Sequence, residues 1–174
     1  EAVGGFGGPD GQDVFLVERG RPPRIHRRVD DRWVFLDAAP EGEGAPVGVG
    51  PGEALLRAEA VGVVYRLDAD GVRVDDIGST AVQSVGFASR LGPLLGTTDG
   101  TLLARGETGW GRLPGPSYGW WVLDVVEAPH GAWAFLASGT LLEFLGRLPC
   151  TDLSFRGTAS SAALAPLAGG FVLV

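Results

Sequence analysis

The chain has no lysine, no methionine and a single cysteine among its 174 residues. One thiol excludes an intrachain disulfide and therefore a fold stapled by cystines. It fits a reducing compartment, and a cytoplasmic location is the expectation that follows. Basic charge is scarce. All 14 basic residues are arginine, 21 residues are acidic, and the formal charge is −7. That balance argues against a surface built to hold phosphates, so no nucleic-acid partner is expected. The exclusive use of arginine reads as a GC-rich coding bias rather than a physical signal. No apolar run approaches the ~20 residues of a membrane span, and no membrane partner is expected. Histidine occurs twice, as His26 and His130, and neither stands at ligand spacing from another His, Cys, Asp or Glu. A zinc site needs such side chains to converge, so neither a metal nor a cofactor is expected. The Gly-x-Ser-x-Gly, P-loop and His-Glu-x-x-His motifs are also missing. Cys150, in LPCTD between an outer strand and a turn, has no neighbouring motif that would make it a nucleophile. No catalytic residue is expected, and the chain reads as something other than an enzyme.

What is plentiful is glycine (29) and proline (12), in a chain that is nonetheless 45% apolar and only 20% charged. This is too apolar for disorder and fits short strands joined by many turns. The strands repeat. Shifting Val85–Glu107 by 39 positions brings Gly92 onto Gly131, and Gly100, Thr101, Leu102 and Leu103 onto Gly139, Thr140, Leu141 and Leu142. A second shift of 39 brings Gly131 onto Gly170. Each copy offers an apolar first strand, a second apolar strand, a tight glycine turn and a more polar outer strand. Leu94–Thr97 and Thr101–Arg105 form one such hairpin around Asp99-Gly100, and Gly109–Leu113 follows as its fourth strand. Trp121–Val126 opens the next copy. Trp133–Ala137 and Thr140–Leu145 are its hairpin, and Asp152–Phe155 is its outer strand. Ala162–Ala168 and Phe171–Val174 begin a further copy. The WAFLA and FVLV runs lack alternation, as strands covered on both faces do. A period near 40 with this content indicates a radial or stacked β repeat. Radial repetition of four-stranded sheets solves the problem of exposed edges, and a flat sandwich gives no reason for the period. The fold expected is all-β, a β-propeller with repeats of about 39 residues. It would have four to five blades, one of them shared between the termini or with another chain, in a single domain over 1–174.

The earlier part of the chain is harder to place. Residues 1–12 are glycine-rich and read as a flexible lead-in. Asp13–Val17 and Ile25–Val29 make a hairpin across the turn formers of Glu18–Arg24, and Arg32–Asp37 is apolar enough to be a buried strand. Six arginines fall between Arg19 and Arg32, where a solvated hairpin is the simplest reading. Residues 38–52 have no period and read as a long loop. Glu53–Gly62 reads as a first strand, and Val63–Leu67 with Val72–Val74 as a hairpin around Gly71. On that alignment Gly71 and Gly100 are only 29 residues apart. The repeat between them is then about ten residues short.

The turns carry a resemblance. Gly92, Gly131 and Gly170 precede second strands, and Asp99–Thr101 and Ser138–Thr140 lie between second and third strands. Gly106–Trp110 is similar to a degenerate Asp-box turn, with Glu107 in the acidic place and Trp110 as the packing aromatic, though the Ser that opens the box is absent. Residues 85–174 thus resemble blades of a divergent β-propeller of the BNR/YCF48-like or WD40-like kind, without the Trp-Asp dipeptide of WD40 blades. The resemblance implies a fold, and an Asp box is a structural turn that implies no sialidase activity.

One cluster suggests a site. Trp110, Tyr118, Trp120 and Trp121 fall within twelve residues. Tryptophan at loop tips can stack on sugars or anchor a protein partner. Packing between blades is the competing role for Trp110 and Trp121, and Trp120 is the residue expected to be exposed. Two functions follow. The first is a non-catalytic scaffold that docks a protein partner, or a second chain that completes the propeller. The second is a glycan-binding or glycan-hydrolysing protein with 110–121 as its sugar platform. A hydrolase would need two carboxylates from Asp68, Asp70, Asp99 and Glu127 to face one cleft at a set separation. The acidic pairs Asp30–Asp31 and Asp75–Asp76 read as turn chemistry instead.

Overall fold

The computed structural model describes residues 2–7, 14–18, 24–38, 45–50, 52–58, 60–68, 70–114, 119–128, 131–145, 148–154, 164–167 and 170–173. Among them every regular element is a strand. Among the described residues no helix is long and apolar enough to cross a membrane. The chain divides into two compact units, Glu1–Gly78 and Ser79–Val174.

The first unit holds two four-stranded antiparallel sheets. The first sheet runs β1 (Ala2–Gly7), β2 (Val14–Glu18), β3 (Arg24–Val29) and β4 (Arg32–Ala38) in that order. The second runs β5 (Ala45–Gly50), β6 (Glu53–Arg57), β7 (Val63–Asp68) and β8 (Gly71–Asp76). Their facing sides enclose Phe15, Ile25, Ala54, Leu56, Tyr65 and Leu67. β1 packs beside β5. The β3–β4 connection is a two-residue hairpin in which Asp30 and Asp31 both have positive φ. That is the conformation of a type I′ turn, one of the few places where Asp accepts it.

The second unit repeats the plan. One sheet is β9 (Val82–Ala88), β10 (Gly92–Thr97), β11 (Leu102–Gly106) and β12 (Gly109–Arg112). The next is β13 (Val122–Ala128), β14 (Gly131–Leu136), β15 (Thr140–Leu145) and β16 (Leu148–Ser154), and β17 (Leu164–Leu167) pairs with β18 (Gly170–Leu173). First strands lie side by side, β9 against β13 and β13 against β17. All six residues of β14 are buried. Ala132, Ala134 and Leu136 join Leu94, Leu102 and Val125 in one core. Trp133 and Phe135 join Leu141 in another. Burial on both faces is what the unalternating WAFLA run implied. Gly100 and Gly139 occupy equivalent turns between second and third strands, with φ of 80° and 81°.

Four expectations change. The glycine-rich start is not a lead-in over Ala2–Gly7, because β1 pairs with β2, with Phe6 opposite Phe15. Glycine weakens a strand's own preference, and here pairing overrides it. The 38–52 loop contains β5, hidden by Pro46. Proline is tolerated there because β5 is an edge strand with an irregular register between Pro46 and Gly48. β4 is the outer strand of its sheet, and Trp33, Val34 and Phe35 are 49%, 49% and 55% exposed where burial was expected. Cys150 lies inside β16, as the extra residue between Pro149 and Thr151 in the register with β15.

These strands also remove the short repeat. β6 is the second strand of its sheet, so the turn equivalent to Gly100 holds Gly62, 38 positions earlier. Gly71 opens a fourth strand, as Gly109 does 38 positions later.

Candidate functional site

Trp120 and Trp121 sit just before β13, and both are about half exposed, at 48% and 51%. Neither belongs to the strand, so the rule that neighbours face opposite ways does not separate them. Trp121 is therefore not the packed residue it was expected to be.

The segment that carries them is held to the β10–β11 turn before Trp120 and to the β14–β15 turn at Trp121. Gly119 N donates to Asp99 O at 3.1 Å, and Ala137 N donates to Trp121 O at 2.8 Å. A Cβ placed on Gly100 would stand 2.7 Å from Trp120 O, so only glycine lets the loop lie this close. The turn beneath is tied internally. Thr101 N donates to Thr97 Oγ1 at 2.9 Å and to Asp99 Oδ1 at 3.1 Å. The buried Thr97 hydroxyl lies within hydrogen-bond reach of the Asp99 carboxylate and of Thr101 O. Burial pushes the Asp99 pKa up. Hydrogen bonds from the Thr97 and Thr101 side chains and the Thr101 amide, with the charge of Arg112, outweigh it and hold the carboxyl below its ordinary 3.8. The next sheet uses Ser138 and Thr140 at the same places, joined hydroxyl to hydroxyl at 3.0 Å.

The four aromatics do not form one patch. Trp110 is half-buried in β12 opposite Arg105, whose guanidinium carbon lies 6.0 Å from the ring centre. Arg105 is five residues along from Gly100, roughly 17 Å at strand rise. Trp110 thus sits at the far end of the sheet from Trp120. Tyr118 and His130 lie outside the described residues.

Nor do the carboxylates considered for hydrolysis converge within the second unit. Asp99 lies at the turn end of β10. Glu127 lies toward the other end of β13, where its Oε1 accepts from Ser89 N at 2.9 Å and from the Ser89 hydroxyl. Five residues of strand separate Val122 from Glu127, again roughly 17 Å, against the ~5–9.5 Å of a glycosidase pair. In the first unit Asp68 Oδ1 accepts from Asp70 N at 2.9 Å, and Asp70 pairs with Arg73 at 2.7 Å. His26 Nε2 lies 3.2 Å from Glu18. Among the described residues no three His, Cys, Asp or Glu side chains are placed to share a metal ion.

Sequence reasoning missed two features. Gly86 lets β9 lie against Val125 of β13, and Gly96 lets β10 lie against Val122 of β13 and the Ser84 side chain; a Cβ on either would stand within 2.3 Å of a neighbouring atom. Nothing local marks such residues, because Val125 and Val122 are 39 and 26 positions from the glycines they meet. The exposed aromatic face of β4 was hidden by composition that reads as core.

No family model matches the chain, and no curated protein matches it in sequence. Solved structures do. Hsv2 of Kluyvelomyces marxianus is similar with a TM-score of 0.67 at 11% identity, over 99% of this chain and 61% of that one. U3-55K gives 0.60 at 11% identity, over 87% of this chain and 54% of that one. YCF48 bound to D1 peptide gives 0.53 at 19% identity, over 91% and 55%. All three are β-propellers. At these identities the likeness establishes the fold, and this chain is a divergent all-β propeller. It spans about three fifths or less of the length of each of these structures.

Proposed function

We propose that this chain is a non-catalytic β-propeller module, acting as one domain over residues 1–174, that docks a protein partner within a larger assembly. The observation that carries the reading is the Trp120–Trp121 pair, two large apolar side chains exposed on backbone pinned to the Asp99–Gly100 turn. A rigid aromatic anchor binds without first losing much conformational freedom, and such residues dominate interface energies. The engagement of Asp68, Asp70, Asp99 and Glu127 in turns and ion pairs supports a binding role over hydrolysis. That a structural neighbour, YCF48, is seen bound to a peptide supports a protein as the ligand. A second chain that completes the propeller is one form such a partner can take.

The test is quantitative capture by the full chain and by its Trp120→Ala/Trp121→Ala variant. A partner retained by the first should bind the second at least roughly thirtyfold more weakly, the ~2 kcal/mol of an aromatic hot spot. The melting temperature should be unchanged, since both side chains are exposed. A glycan array run in parallel reads the alternative. Sugar binding abolished by the same variant would replace the scaffold reading with a lectin-like one.

A further inference from the structure

β4 ends the order of the first sheet, so among the described residues it is laddered on one side only. β8 lies nearby but shares no ladder with it. Trp33 stands opposite Arg28, Val34 opposite Arg27, and Phe35 opposite His26. Side chains alternate along a strand. Trp33 and Phe35 therefore share one face with Arg28 and His26, and Val34 lies on the other. The His26 and Phe35 rings meet edge to face at 5.8 Å. The strand exposes apolar side chains on both faces beside an open backbone edge. Proteins usually protect such an edge with lysine, proline or a bulge. The irregularity in β4 falls only at Leu36, between the pairs formed by Phe35 and Asp37, which leaves Arg32–Phe35 regular.

Charge narrows what could cover this edge. The chain carries −7, yet Arg24, Arg27, Arg28 and Arg32 all lie on β3 and β4. Arg24, Arg28 and Arg32 are exposed. Of the acidic residues of this hairpin, Asp30 and Asp31 lie in the turn, where Asp31 pairs with Arg28, and Asp37 lies at the far end of β4, beyond the regular stretch Arg32–Phe35. Glu18, across on β2, is paired with His26. A strand laid along β4 would meet indole, phenyl and guanidinium groups.

We propose that the open edge of β4 is a docking site for an acidic, extended segment of a partner protein, which adds to the first sheet as a fifth strand. Backbone hydrogen bonds would hold it, and alternate side chains would select it. The proposal rests on the reading of the chain as a binding module, but it uses none of the aromatic loop.

The test titrates the full chain with synthetic peptides of about eight residues, close to natural strand length. One alternates valine with glutamate, one alternates valine with lysine, and one is the glutamate peptide with proline at every other valine. The glutamate peptide should bind, more weakly as salt rises. Arg28→Glu with Arg32→Glu should weaken it roughly tenfold or more. The lysine and proline peptides should not bind, and Trp120→Ala/Trp121→Ala should leave the affinity unchanged, which separates this site from the aromatic loop. Equal binding of the proline peptide would show charge attraction without strand addition and overturn the proposal. So would equal or better binding of the lysine peptide, or no binding of the glutamate peptide to monomeric protein. If the chain is instead a dimer in solution that Val34→Glu dissociates, the edge belongs to a second copy and the acidic partner is excluded.

Discussion

Gly86→Ala tests the packing of the second unit at its tightest point. A Cβ there would stand 2.2 Å from the carbonyl oxygen of Val125, 2.8 Å from its carbonyl carbon and 3.0 Å from its Cβ. Val125 is 2% exposed and lies in the middle of β13, so the obstacle is mostly buried backbone that no rotamer change removes. β9 and β13 must separate by about an ångström, and interiors packed like crystals do not absorb that cheaply. Overpacking costs about 1–3 kcal/mol, and a backbone obstacle belongs at the upper end. Removing a glycine also stiffens the unfolded chain, which returns about 0.4–1 kcal/mol. The net loss is about 2 kcal/mol, or roughly 4–8 °C in Tm for a chain of this length. Gly111→Ala is the control, because nothing lies within 4 Å of its Cβ and its φ is not left-handed. It should melt at or slightly above the parent temperature. Thermal melts followed by tryptophan fluorescence and circular dichroism measure both. If Gly86→Ala melts within about 2 °C of Gly111→Ala, the close approach of β9 to β13 is not as described.

Other outcomes follow from the same geometry. Asp99 has a folded pKa below its ordinary 3.8, so its contribution to stability is present above that value and fades as pH falls through the lower folded value. Asp99→Asn should accordingly be less stable than the parent at pH 7 and approach it in acid unfolding near pH 2; a gap independent of pH would rule this out. Deleting residues 171–174 removes most of β18, the ladder partner of β17, and leaves β17 open beside β13. The truncated chain should melt lower and aggregate more readily, and equal melting with equal solubility would show the terminal strand to be dispensable.

How much of this was legible depended on whether the signal was local. Most strands of the second unit could be read to within about two residues, though β16 starts four residues before the expected Asp152, since Gly-Thr-Leu-Leu recurs with its turn and both faces of β14 are buried. β1 and β5 could not, because their glycines and Pro46 argue against a strand and only the neighbouring strand supplies the reason for one. Burial on β4 was misread for a related cause. RWVFLD has the composition of a core strand, and its exposure follows from its place at the outside of the sheet. The aromatic loop was visible as a run of tryptophans, but which of them would be presented was not. Exposure of both Trp120 and Trp121 follows from hydrogen bonds to Asp99 and Ala137, each made across a turn or a sheet.

The first unit was set one strand out of phase because Asp-Ala-Asp-Gly at 68–71 resembles the Asp-Gly turn at 99–100 more closely than Ala-Val-Gly at 60–62 does. The structure makes Gly62 the true counterpart of Gly100 and Gly139, with φ of 84° beside their 80° and 81°. Its surroundings show why glycine is kept there without the rest of the motif. A Cβ on Gly62 would stand 2.0 Å from the carbonyl oxygen of Gly78, while Gly62 O accepts from Ile77 N at 2.9 Å. The turn is thus clamped to the segment that follows β8. Gly52 also has a left-handed φ, of 75°, but nothing lies within 4 Å of its Cβ. Gly52→Ala should therefore cost only the backbone penalty, about 1–2 kcal/mol. Gly62→Ala should cost that and an overpacking penalty of about 1–3 kcal/mol besides. Denaturant titration of the two variants reads the difference as a shift of midpoint at constant slope. Equal midpoints would mean that the clamp between Gly62 and Gly78 is absent, and that Gly62 is an ordinary turn glycine rather than the packed counterpart of Gly100.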